Sequence, residues 1–253
     1  MRIVFFDIDE TLAVGKVIPE SAKQGIGKLR ENGDLVFICT GRNITYVKDY
    51  FGGYADGFIT NNGRLAWYQD RFIFDEPICE DIMKELLSRL DSSKTGYAFY
   101  SKDHGYYEGP EDLLKILEKA SEPSFLSCGI KKDVSYYNFD VIFYDSDHFH
   151  EIEKDLKDLC VINPHGPHPS ADMTVRGMDK GLALKKVSEL LHVRIEDTYA
   201  FGDGKNDVTM LSATGHAIAM GNACKEAKEV SEYVTERIDR DGVFLGLKHY
   251  GLI

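Results

Sequence analysis

Two aspartates one residue apart, Asp7 and Asp9, close the apolar run Ile3 to Phe6 in "RIVFFDIDETLAV". Such a pair can divide labour: one carboxylate attacks an electrophile while the other carries a proton. Crowding them beside Glu10 is unfavourable unless positive charge sits among them. Read alone, they serve equally well as surface-loop carboxylates or a helix cap. In "CTGR", the Thr40 hydroxyl and the N–H groups of Gly41 and Arg42 open a helix and form an anion cradle, or else an ordinary cap and turn. Lys180, in "GMDKGLAL", also starts a helix. Its charge opposes the helix dipole there, so it is either a surface lysine or one held by a nearby anion. "FGDGKND" ends a strand in a Gly-Asp-Gly turn, with Asn206 and Asp207 just beyond. Asp203 and Asp207 join Asp7 and Asp9 as hard oxygen donors of the kind that suit Mg²⁺ shared with a substrate phosphate. An unrelated turn is the alternative for that piece. Together the segments favour one site, because each follows a strand and strand C-ends of an open α/β sheet face a common crevice.

The elements that must position these residues alternate. "IVFFDI", "LVFICTG" and "GFITNNG" hold short apolar runs that read as buried strands. Helices are predicted over 19–32 and 43–51, and "LAWYQDRFIF" reads as a hairpin turning at Gln69-Asp70. The middle of the chain changes character. Helices are predicted over 80–91, 110–120 and 147–159, with strands in "TGYAFYS", "GYYEG" and "SYYNFDVIFYD" and a Pro-rich turn running into a strand in "NPHGPHPSADMTV". The first pattern then returns: helix 180–192, strand "TYAFGDG", helix 206–213, strand "HAIAM", helix 222–230. A βα series that stops and resumes implies an insertion, with joints near 78–80 and 176–179.

Composition limits the possibilities. The chain has 253 residues, 43% hydrophobic and 28% charged, enough for a core in one large domain or two modest ones. A net charge of −12 disfavours a general nucleic-acid binder but leaves room for a small phosphorylated substrate, which needs only local cations. No apolar run reaches the roughly 18 residues of a membrane span, and no signal-peptide pattern precedes the first strand. Cys39, Cys79, Cys128, Cys160 and Cys224 are scattered without a C-x-x-C pair, so a reducing, cytoplasmic setting is expected, without disulfides or zinc.

"DIDET", "TGR", the lysine of "DKG" and "GDGKND" resemble the four motifs of the haloacid dehalogenase-like superfamily. Their order, the insertion and "AMGNA" resemble its Cof-like phosphatase subgroup. The resemblance covers essentially the whole chain. It implies an α/β fold: a Rossmann-like doubly wound core, 1–79 with 179–253, and an inserted α+β cap, 80–178, acting as a substrate lid. It implies Asp7 as nucleophile through an aspartyl-phosphate and Asp9 as acid/base. It further implies Mg²⁺ held by Asp7, the Asp9 carbonyl and Asp203, with Asp207 in support. Thr40, Gly41, Lys180 and Asn206 would bind the phosphoryl group, and Arg42 and Arg176 are candidate substrate contacts, the latter on location only. The implied activity is Mg²⁺-dependent hydrolysis of small phosphorylated metabolites. The alternatives are a sugar phosphomutase and a non-catalytic phospholigand binder, which would have no need of both aspartates. Where the family usually has glycine, this chain has Glu10, which adds charge and bears on the turn. Arg64 in "TNNGR", the cap tyrosines, and His165 and His168 are expected to be, respectively, solvated, mostly strand packing, and exposed between prolines.

Overall fold

A computed structural model describes residues 1–120 and 126–253. The chain divides into two compact units, Met1–Asp75 with Met178–Ile253, and Glu76–Gly177.

The first unit is an eight-stranded sheet. Its strands are β1 (Ile3–Phe6), β2 (Leu35–Cys39), β3 (Gly57–Thr60), β4 (Leu65–Tyr68), β5 (Arg71–Asp75), β12 (Thr198–Gly202), β13 (His216–Ala219) and β14 (Tyr233–Val234). The order is β14-β13-β12-β1-β2-β3-β4-β5, parallel from β14 to β3, with β4 and β5 antiparallel. This is the doubly wound arrangement, and the chain direction across the sheet reverses beside β1. β1 is buried at every position because it sits in the middle of the sheet, which explains its unbroken apolar run. Gln69 and Asp70 both have positive φ, so the predicted hairpin turns where two left-handed residues permit it.

Helix α1 (Glu20–Glu31) buries Ala22, Gly25, Ile26 and Leu29, one helical face, and packs on α9 (Gly242–His249). Helix α2 (Ile44–Phe51) is capped by Asn43, whose side-chain oxygen accepts from the Tyr46 N–H at 2.8 Å. Helix α6 (Lys180–Leu190) is capped in the same way by Asp179, and packs on α7 (Val208–Ala213). At Gly181 a Cβ would lie 2.2 Å from the Thr209 carbonyl oxygen, so only glycine lets α6 approach this closely.

The second unit is a six-stranded sheet, order β10-β11-β9-β6-β7-β8. Its strands are β6 (Gly96–Tyr100), β7 (Gly105–Glu108), β8 (Leu126–Cys128), β9 (Asn138–Ile142), β10 (Cys160–Pro164) and β11 (Ser170–Val175). Helices α3 (Glu80–Arg89), α4 (Glu111–Ala120) and α5 (Ser146–Leu156) cover it. Pleating sends Phe99, Phe139 and Val141 into a cluster with Leu86 of α3 and Ile152 of α5, while Ala98 and Ile142 join Leu113 of α4. Tyr97, Tyr107, Tyr136 and Tyr137 are buried packing residues, whereas Tyr144 is exposed. Strands β8, β10 and β14 and helix α9 add to the elements predicted from sequence. All five cysteines are free thiols. Among the described residues, no helix is long and apolar enough to cross a membrane.

Candidate active site

Asp7 follows β1, Asp203 follows β12, and those two strands are paired neighbours. The Asp7 N–H donates to the Phe201 carbonyl at 3.0 Å, extending the ladder to the point where the carboxylates emerge. Oxygens of Asp7, Asp203 and Asp207 all lie within 4.8 Å of one another. Lys180 Nζ, only 1% exposed, donates to Asp7 Oδ1 at 2.7 Å and to Asp207 Oδ1 at 2.6 Å. The close α6–α7 approach at Gly181 is what brings this lysine to Asp207. Its position at the first turn of α6 thus has a local reason: two anions hold it against the dipole.

Asp207 is fully buried, and its other oxygen accepts from the N–H groups of Asp203 and Gly204 at 3.0 and 2.9 Å. It therefore fixes the Gly-Asp-Gly turn as well as the lysine. Thr11 donates its hydroxyl to Asp203 Oδ1 at 2.7 Å, which sets the rotamer of that carboxylate. Asn206 is partly buried in the same turn, its side-chain oxygen against the Gly204 backbone.

The electrostatics follow from this crowding. Burial, and after it the Asp207 carboxylate, raises Asp7 well above the usual carboxylate range despite the pull of Lys180. Burial also pushes Asp203 up to about 6, against the Thr11 hydrogen bond. Burial works to lower Lys180, but Asp207 and Asp7 outweigh it and the ammonium is raised. The neighbouring Cys39 thiol is raised chiefly by burial and stays protonated. Three hard oxygen donors with one cation among them form a set able to hold a divalent metal, whose charge would relieve the raised carboxyls.

Asp9 points elsewhere. Its two oxygens accept from Arg42 Nε and Nη2, each at 3.0 Å. Thr40 is 1% exposed after β2, and its Oγ accepts from the Arg42 N–H at 3.2 Å. Gly41 lies against Asn62, whose Oδ1 would be 3.0 Å from a Cβ at that position. The site thus gathers Asp7, Lys180, Asp203 and Asp207 by contact, while Asp9, two residues beyond Asp7, pairs with Arg42 from the segment after β2. Arg176 belongs to the second unit, where its guanidinium donates to the Lys157 carbonyl at 2.9 and 3.3 Å. His165 is exposed as expected, whereas His168 is only partly exposed, and both bond through Nδ1 to the buried Ser170 hydroxyl.

Glu10 has φ +61, a left-handed conformation that glycine adopts without strain and that costs a residue with a Cβ. Asn222 in "MGNA" donates to the Glu10 carbonyl at 2.8 Å and accepts from the Ile238 N–H at 3.0 Å, bracing the turn from a distant segment. Arg64 corrects an expectation: it is 7% exposed, not solvated. Asn61 and Asn62, with φ 52 and 54, reverse the chain between β3 and β4, and this tight connection packs against α6. Two asparagines before a glycine signal such a turn, but the sequence does not say that the turn is covered. Thr11 and the Asn61-Asn62 turn are the supporting residues that the motifs alone leave without a role.

A family model described as haloacid dehalogenase-like hydrolase matches residues 4–247. YkrA of Bacillus subtilis, provisionally named a phosphatase, is 31% identical over 265 residues, covering 100% of this chain and 98% of that protein. The 5-amino-6-(5-phospho-D-ribitylamino)uracil phosphatase YwtE of the same species is 27% identical, with 96% of each covered. Among solved structures, the subclass IIB sugar phosphatase BT4131 aligns with a TM-score of 0.83 at 25% identity, covering 100% of both chains.

Proposed function

We propose a reaction for this chain from one premise: it belongs to the haloacid dehalogenase-like hydrolase family, as a phosphatase of that family. The reaction is Mg²⁺-dependent hydrolysis of small phosphomonoesters, sugar phosphates or close analogues, through an aspartyl-phosphate. The relatives named as a sugar phosphatase and a ribitylaminouracil phosphatase support that substrate class. The observation that carries the mechanism is the grip of Lys180 on Asp7 within the carboxylate cluster at the ends of β1 and β12.

Asp7 attacks phosphorus and forms an O–P bond as the ester O–P bond breaks. Asp9 gives its proton to the departing alkoxide. Asp9, now a carboxylate, takes a proton from water as that water attacks phosphorus, and phosphate leaves with Asp7 restored. Lys180 orients Asp7 and offsets charge on the phosphoryl oxygens, joined by the Thr40 hydroxyl, the Gly41 N–H and Asn206. Mg²⁺, held by Asp7, the Asp9 carbonyl and Asp203, supplies charge neutralisation when bound. Asp207, its oxygens already engaged by Lys180 and two N–H groups, supports these ligands. For Glu76–Gly177 we propose the role of a specificity lid.

The test is phosphate release from a panel of phosphorylated metabolites with Mg²⁺ and again with chelator. Hydrolysis of one or a few compounds, stopped by chelator and restored by Mg²⁺, is the expected result. Undiminished release in chelator removes the metal from the mechanism. Phosphate accepted from an activated donor without release favours a mutase.

A further inference from the structure

Resting on the phosphatase reading, we infer that Arg42 is a positioning residue for the acid/base Asp9, not a substrate contact. The fork is the first reason. Nε and Nη2 each lie 3.0 Å from a different oxygen of Asp9, which fixes the plane of the carboxyl as well as its position. A proton donor that must face a leaving oxygen depends on that orientation.

The second reason is how the neighbouring donors are engaged. Lys180 is bound to Asp7 and Asp207, and the Thr11 hydroxyl is bound to Asp203. Arg42 instead donates to both oxygens of Asp9.

The third reason is that Arg42 is itself held. Its N–H donates to Thr40 Oγ, and its guanidinium sits over the Tyr46 ring, 5.1 Å from the centroid. Tyr46 in turn packs against Tyr50 and Phe51 of α2, with ring centroids 5.0 and 6.1 Å away. The first turn of α2 thus sets where the fork reaches. The pair is half-exposed, 48% for the arginine side chain and 43% for the aspartate. Such a pair adds little stability. Its contribution is geometry, and an exposed fork can release one oxygen when the proton moves.

The experiment compares wild type, Arg42→Ala and Arg42→Lys on an alkyl phosphomonoester and on p-nitrophenyl phosphate. kcat/KM reads the steps up to departure of the leaving group, and the nitrophenolate leaves without a proton. The expected result for Arg42→Ala is a loss of about 10- to 100-fold on the alkyl ester. The loss on p-nitrophenyl phosphate is expected to stay within about threefold, as that leaving group needs little acid help. Inhibition by inorganic phosphate stays unchanged, and Arg42→Lys recovers part of the alkyl-ester rate. Equal losses on both esters, or weakened phosphate inhibition, would overturn the inference and make Arg42 a substrate contact. A wild type that releases phosphate from neither ester overturns the phosphatase reading itself, a distinguishable failure.

Discussion

Two cation–carboxylate constellations share this site and are built in opposite ways. Lys180 with Asp7 and Asp207 is sealed, its side chains 1%, 9% and 1% exposed. Arg42 with Asp9 is open, at 48% and 43%. The sealed cluster fixes Asp7, the nucleophile of the proposed reaction, whose position that reaction needs to stay constant. In the proposed reaction the open pair holds the carboxyl that gains and loses a proton in each cycle. On that reading the same attraction serves rigidity in one place and release in the other, because the first pair is shielded from solvent and the second is screened by it.

The largest expected effect comes from breaking the sealed cluster. Lys180→Met leaves two buried carboxylates without their cation and should destabilise the metal-free protein by about 3–5 kcal/mol, read by urea unfolding at pH 7. A loss no greater than that of Arg42→Ala would erase the contrast between the two constellations.

Next comes the metal. Asp203 is raised from 3.8 to about 6, mainly by burial. A raised carboxyl favours the folded state while it is protonated, so this contribution is present below about pH 4 and lost as pH climbs through about 6. Asp7, also raised, acts in the same direction. Mg²⁺ must displace those protons, so its stabilisation should grow across that window, to about 2.7 kcal/mol at 100 times its dissociation constant. Thermal midpoints with and without Mg²⁺ at pH 5 and pH 7 check this, and a pH-independent increment would speak against the cluster as the metal site.

Arg42→Ala should change stability by less than about 1 kcal/mol, because the pair is exposed, even while alkyl-ester turnover falls. A large shift in its unfolding midpoint would class the open pair with the sealed one. The smallest effect concerns the turn that follows Asp9. Glu10→Gly should raise stability by under about 1 kcal/mol, since relief of the left-handed strain exceeds the added chain entropy. A destabilised variant would mean that the Glu10 side chain does more than occupy the turn.

Much of this was legible in the sequence because strand ends announce themselves: apolar runs stop at Asp7, Thr40 and Asp203. Lys180 was ambiguous by itself and became readable only beside the aspartates. β10 was hidden because "CVINP" contains a proline, which a sheet tolerates there since β10 lies at the edge. β14 has two residues, too few for a pattern. α9 was hidden by its glycines: at Gly246 a Cβ would lie 2.5 Å from the Phe201 ring, so packing against the core outweighs helix propensity. The partners of Asp9 and the burial of Arg64 depend on which segments meet, and no local pattern encodes that.

The most direct measurement is phosphate release by Asp7→Asn beside wild type, on whichever ester wild type hydrolyses, with unfolding midpoints for both. A folded variant with turnover abolished is the expected result. A folded variant that releases phosphate at the wild-type rate would contradict Asp7 as the nucleophile.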